Sequence, residues 1–93
     1  MNMVALVGNV ASDPELRYTD AGRAICTFRI AVSRAGSEEA DFFTICAWER
    51  QAEICNEYLQ VGRRISVEGR MHSSGKSLIE VVAHRVGLLG KAT

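Results

Sequence analysis

Phe42 and Trp48 fall on one parity of the segment Asp41-Phe42-Phe43-Thr44-Ile45-Cys46-Ala47-Trp48, whose composition reads as a single β-strand. Successive side chains of a strand point to opposite faces, so Phe42, Thr44, Cys46 and Trp48 share one face and Phe43, Ile45 and Ala47 the other. Both faces are apolar, and each needs a partner. A core accounts for the face of Phe43 and Ile45. The other face offers two flat rings to a second subunit, to another domain, or to nucleobases, which stack on exposed aromatics at ~1–3 kcal/mol per base. Strand parity adds Arg29, from the preceding strand, and Arg70, from a later one, to the same outward surface. The cations of the chain are nine Arg to two Lys, and a guanidinium suits phosphate forks and ring stacking better than an ammonium does.

Other chemistries find less support in the residues. Cys26, Cys46 and Cys55 are an odd number without a close pair, which argues against a secreted disulfide framework and against a zinc site. Neither His72 nor His84 stands at a ligand spacing from any cysteine, so no metal is expected and the thiols read as small reduced hydrophobes. No spacing gathers an acid, a base and a nucleophile, so we expect no enzyme and no cofactor. The net charge is zero, from 11 basic and 11 acidic residues, which lacks the usual basic excess of a nucleic-acid binder. The acids are segregated, however. Glu49, Glu53 and Glu57 form one stripe of an expected helix, and Glu38, Glu39 and Asp41 crowd one loop, which keeps much of the negative charge off the strands.

The elements that must position these residues follow from the periodicity. With 93 residues, 47% of them hydrophobic and 24% charged, the chain is expected to form one domain over residues 1–93. Its apolar runs are too short to span a membrane, and its start lacks the basic and small-residue pattern of a signal peptide, so a cytoplasmic location is expected. Residues 3–10 read as a first strand with Gly8 permitting a bulge or bend. The stretch 11–20 holds the only proline, and Ala21-Gly22-Arg23 signals a turn. Residues 25–33 alternate with Cys26, Phe28, Ile30 and Val32 inward and Thr27, Arg29 and Ala31 outward, before the polar loop 34–40 and the strand 41–48. From Glu49 to Gln60 the period becomes helical, with Gly62 as the expected C-terminal cap. Strands follow at 64–71 and 78–89, joined by a turn at Ser73-Ser74-Gly75-Lys76. Three strands, a helix and two strands fit an all-β fold, a five-stranded oligonucleotide/oligosaccharide-binding (OB) barrel with one short α-helix between the third and fourth strands. The ligand face of that barrel centres on its second and third strands, which here carry Arg29, Phe42 and Trp48.

Several separated motifs carry a resemblance over nearly the whole chain. Val7-Gly8-Asn9-Val10, Asp13-Pro14-Glu15-Leu16-Arg17-Tyr18-Thr19, Phe28-Arg29-Ile30-Ala31-Val32, Ala52-Glu53-Ile54-Cys55-Asn56-Glu57-Tyr58-Leu59, Gly62 to Arg70 and Glu80-Val81-Val82-Ala83 resemble, in order, the bacterial single-stranded DNA-binding protein family. The resemblance implies a homo-oligomeric OB-fold protein, a tetramer in most members with a dimer as the other form. Such a protein coats single-stranded DNA without sequence preference during replication, recombination and repair. By the same resemblance Phe42 and Trp48 match base-stacking aromatics, Arg50 a basic position just after them, and Arg17 a basic position near the bound strand.

The chain departs from fuller members at several positions. A stacking tryptophan after the second strand and another in the last hairpin are replaced by the loop 34–40 and the short turn 71–77, and two basic positions at the helix end are Gln60 and Val61. Fewer platforms and fewer cations imply weaker binding over a shorter footprint. The sequence ends at Gly90-Lys91-Ala92-Thr93, where the family's longer chains continue into a linker and an acidic tail, so a tail-less or truncated core is expected. Such a form would cover DNA without recruiting replication enzymes through that tail. Two other readings stand beside the coat protein. One is a primosome-type accessory OB adaptor that binds single-stranded DNA and a protein partner. The other is a structural role in which Phe42 and Trp48 lie in a subunit interface.

Overall fold

The alternation of Cys26, Phe28 and Ile30 with Thr27 and Arg29 commits one face of its strand to a core, and the computed structural model shows what fills that core. It describes residues 1–75 and 78–91, so Lys76 of the expected turn, with Ser77, Ala92 and Thr93, lies outside the described residues. Its elements are β1 (Val4–Val10), β2 (Glu15–Tyr18), β3 (Ala24–Ser33), β4 (Ala40–Trp48), α1 (Glu49–Tyr58), β5 (Arg63–Ser73) and β6 (Ile79–Lys91).

Five of the strands close on themselves in the order β1-β5-β6-β4-β3, and β1 returns to β3 through Asn9 opposite Ala31 and Val10 opposite Ile30. All neighbours run antiparallel except β4 and β6, which pair in parallel at Ile45/Val81, Cys46/Val82 and Ala47/Ala83. This is the expected five-stranded OB barrel with its helix after the third barrel strand. Phe28, Ile30, Ile45, Ile65, Val67 and Val81 fill the interior, each at most 1% exposed, and α1 plugs one end with Ala52 and Cys55. Phe43, expected inward, is partly buried against this core.

One edge of β3 carries two partners end to end. Residues 24–27 pair with β2 and residues 30 and 31 with β1. At the junction the Ala11 N–H donates to the Arg29 carbonyl at 2.8 Å, and the Arg29 N–H donates to Ser12 Oγ at 2.8 Å, so the backbone of Arg29 stays satisfied where the partner changes. Gly8 lies just before this crossing. A Cβ there would stand 2.5 Å from the Ala31 carbonyl oxygen, so its place is set by close backbone approach rather than by a bulge.

Several boundaries differ from expectation: β5 runs on through the start of the expected turn to Ser73, β6 reaches Lys91, and two differences bear on the site. The four-residue β2 is a strand where the sequence pattern gives none, because Leu16 is its only inward apolar side chain and the open edge of β3 supplies its ladder. The helix ends at Tyr58 rather than Gln60. Leu59 leaves it in an extended conformation and buries to 4% exposure, while its N–H still donates to the Cys55 carbonyl at 3.0 Å. Gly62, with φ 95°, therefore turns the chain into β5 instead of capping α1. Among the described residues no helix is long and apolar enough to cross a membrane.

Candidate functional site

Register turns the outward parity of β3 and β4 into a ladder of facing pairs: Ala31/Phe42, Arg29/Thr44, Thr27/Cys46 and Ile25/Trp48. On one side β2 extends it, with Glu15 opposite Thr27 and Arg17 opposite Ile25. On the other side Val82 of β6 lies beside Cys46, Arg70 of β5 faces Val82, and His72 faces Glu80. The barrel thus brings Arg17, Arg29, Phe42, Trp48 and Arg70 to one continuous surface. Arg50 stands apart, exposed on the first turn of α1 and outside the lining of the grooves described below.

The two rings sit in different surroundings. Phe42 is 53% exposed, and the Arg29 guanidinium, its diagonal neighbour across the strands, lies 4.9 Å from its ring centroid. Trp48 is half-buried and borders an open groove of about 480 Å3 whose polar lining comes from Arg23, Arg70, His72, Glu80 and His84. A second groove, of about 460 Å3, runs past Ser12, Asp13, Glu15, Thr27, Arg29 and Thr44. Arg17 lies between the two grooves, with its Nη2 3.5 Å from Thr27 Oγ1.

Arg23 is the residue of this face that the sequence pattern does not single out. It sits after the tight turn of the β2–β3 hairpin, where Gly22 takes φ 80° and the Thr19 N–H donates to the Arg23 carbonyl at 2.9 Å. Its guanidinium lies 4.7 Å from the Trp48 ring centroid, and its Nε donates to Glu49 Oε1 at 3.1 Å. Glu49 itself holds a left-handed conformation, φ 56°, which costs a non-glycine residue roughly 1–2 kcal/mol. That kink turns the chain from β4 into α1 within one residue of Trp48.

The loop acids are largely neutralised at home. Arg34 binds Asp41 Oδ1 through Nε and Nη2, each at 2.8 Å, and Glu39 Oε2 through Nη1 at 2.8 Å. The Asp41 carboxylate raises the Arg34 pKa further above its ordinary value. All three cysteines are free and buried. Burial, with Cys46 close by, pushes the Cys26 thiol up to about 11, and burial with Cys26 close by pushes Cys55 up to about 12. Cys46 is raised by burial and then by Glu80, against the opposing pull of the Thr27 hydroxyl and Arg17. These thiols stay protonated near neutral pH, a poor state for nucleophiles or metal ligands. Among the described residues no three His, Cys, Asp or Glu side chains gather where they could hold a metal ion.

Comparison with known proteins gives concordant matches. The sequence model of the single-strand binding protein family matches residues 1–87. The chain is 39% identical to a single-stranded DNA-binding protein of Treponema pallidum, over 97% of this chain and 58% of that protein. It is 41% identical to single-stranded DNA-binding protein 2 of Listeria innocua, over 96% of this chain and 64% of the other. Single-stranded DNA-binding protein A of Bacillus subtilis is 44% identical over 78% of this chain and 45% of its own length. The chain thus spans between 45% and 64% of these curated relatives. Among solved structures, a deletion mutant of the single-stranded DNA binding protein from Thermus aquaticus superposes with a TM-score of 0.88 at 32% identity, covering 100% of this chain and 43% of that one.

Proposed function

The chain belongs to the single-strand binding protein family, a family of non-enzymatic proteins, and we propose that it binds single-stranded DNA without sequence preference along the outward face of β3 and β4. The observation that carries this reading is the placement of Phe42 and Trp48 at the two ends of one outward ladder, with arginines on the same surface. Six residues of strand at about 3.3 Å each separate the rings by on the order of 20 Å. Several nucleotides fit in that span, at the low end of the ~4–16 that one OB fold covers. Bases stack on Phe42 and Trp48, while Arg29, Arg17 and Arg70 meet phosphates and release counterions. Arg50, outside the groove lining, contacts the strand only where it runs on past the end of β4. With two aromatic platforms and a net charge of zero, binding is weaker and shorter in footprint than in fuller relatives.

Protection of single strands in replication, recombination and repair is the role this activity suits, in the cytoplasm and as a homotetramer. The relatives cited above carry the name single-stranded DNA-binding protein, and the adaptor reading gains no support from them.

Trp48 is the only tryptophan, so its fluorescence reports the site directly. Titration with oligo(dT) at low salt should quench it, duplex DNA should do so far less, and an unquenched signal with saturating oligo(dT) would overturn the reading.

A further inference from the structure

Each aromatic of the outward face comes with an arginine over its ring, but only one of these arginines is tied down. The Arg29 guanidinium beside Phe42 has no carboxylate partner among the described residues, whereas Arg23 over Trp48 is ion-paired to Glu49. At 4.7 Å from the ring centroid, the Arg23 guanidinium occupies the place a stacked base would take on that face of the indole. A base that stacks on that face must displace the guanidinium. The pair is also poorly protected, with side chains 58% and 57% exposed, and it engages Arg23 through Nε, leaving Nη1 and Nη2 unpartnered among the described residues. Arg23 lines the same groove as Arg70, which approaches from β5.

We propose that Arg23 is a strand-binding residue of the Trp48 groove, stored in the free protein between the indole face and the Glu49 carboxylate and transferred to a backbone phosphate when a base takes the ring. The proposal rests on the reading of this face as the single-stranded DNA site. Glu49 acts as a positioning residue. Its left-handed backbone sets the carboxylate next to Trp48, and DNA must replace that carboxylate as the partner of Arg23. The Trp48 end therefore engages at the cost of an ion-pair exchange, and the Phe42 end does not.

The test titrates oligo(dT) into the wild type, Arg23→Gln, Arg85→Gln, Glu49→Gln and Glu53→Gln over a series of salt concentrations, reading Trp48 fluorescence. Arg85 is exposed on β6 and lines neither groove, and Glu53 lies one turn along α1, so both control for bulk charge. Arg23→Gln should neutralise one phosphate fewer, which on a single strand makes the slope of log K against log[salt] shallower by about 0.7. The slope should be unchanged in Arg85→Gln, and Glu49→Gln should gain more affinity than Glu53→Gln. Quenching in the wild type with an unchanged slope in Arg23→Gln, or equal slope changes in Arg23→Gln and Arg85→Gln, overturns the role of Arg23 and leaves the DNA-binding face standing. Equal gains from the two glutamate variants overturn the exchange. A wild type that is not quenched overturns the reading of the face, and this proposal with it.

Discussion

Phe42 keeps more than half of its surface in water, stands outside the core cluster and has an exposed guanidinium over its ring. Truncating it should therefore separate binding from folding. Phe42→Ala is expected to weaken oligo(dT) binding by ~1–3 kcal/mol, the worth of one stacked base, and to leave the urea midpoint nearly unchanged. The buried thiols make the opposite case, contributing to stability and not to binding. Cys26 and Cys55 hold folded pKa values of about 11 and about 12 against an ordinary 9.0. The folded state keeps these protons longer than the unfolded state does. Their contribution is complete below about pH 9 and is lost between there and pH 11–12, at about 1.4 kcal/mol per pH unit for each thiol titrating only in the unfolded chain. Urea unfolding followed from pH 8 to 10.5 should show this decline, and Cys→Ala variants at 26 and 55 should flatten it. Residue by residue, much of the face is legible from parity: Phe42, Trp48, Arg29 and Arg70 all lie where alternation puts them. Arg23 is not, because a residue beside a turn has no period to betray it and its place over Trp48 depends on how β2 is folded back onto β3.

At the scale of elements, β3, β4, β5 and β6 are readable because each alternates over enough residues to separate a buried face from a wet one. β2 is not, because four residues with one inward side chain carry almost no pattern, and its existence is a property of the β3 edge rather than of its own sequence. The helix end moves for a similar reason: Leu59 is worth more in the core than as another helical residue. The same logic predicts a difference in dynamics. β2 is bonded to one neighbour and β1 to two, so amide hydrogens of Leu16 to Tyr18 that bond to β3 should exchange faster than those of Leu6 and Val7 that bond to β5. Equal protection across the two strands would show that β2 opens only with the whole barrel. Arg17 rides on this singly bonded strand, so if β2 exchanges faster as expected, its rim of the proposed DNA-binding face can adjust without disturbing the core.

The described residues form a closed barrel that brings the proposed strand-binding residues to one outward face, and closure is what holds that face in register. The assembly state belongs to this scale as well. The proposed homotetramer should appear in light scattering as close to four times the 10.2 kDa chain mass, and a monomer at micromolar concentration would remove it. Closure also has a consequence in time. β1 makes six register pairs with β5 and only two with β3, so the first strand of the barrel depends mainly on one that follows β3, β4 and α1 in the chain. While the two hairpins β3–β4 and β5–β6 can form from neighbouring sequence, Val4-Ala5-Leu6-Val7 must wait with its edges bare until nearly the whole domain has been translated. While the barrel is being made, β1 is therefore an adhesive strand without its main partner, and joining it to the two finished hairpins is the step that ends that exposure.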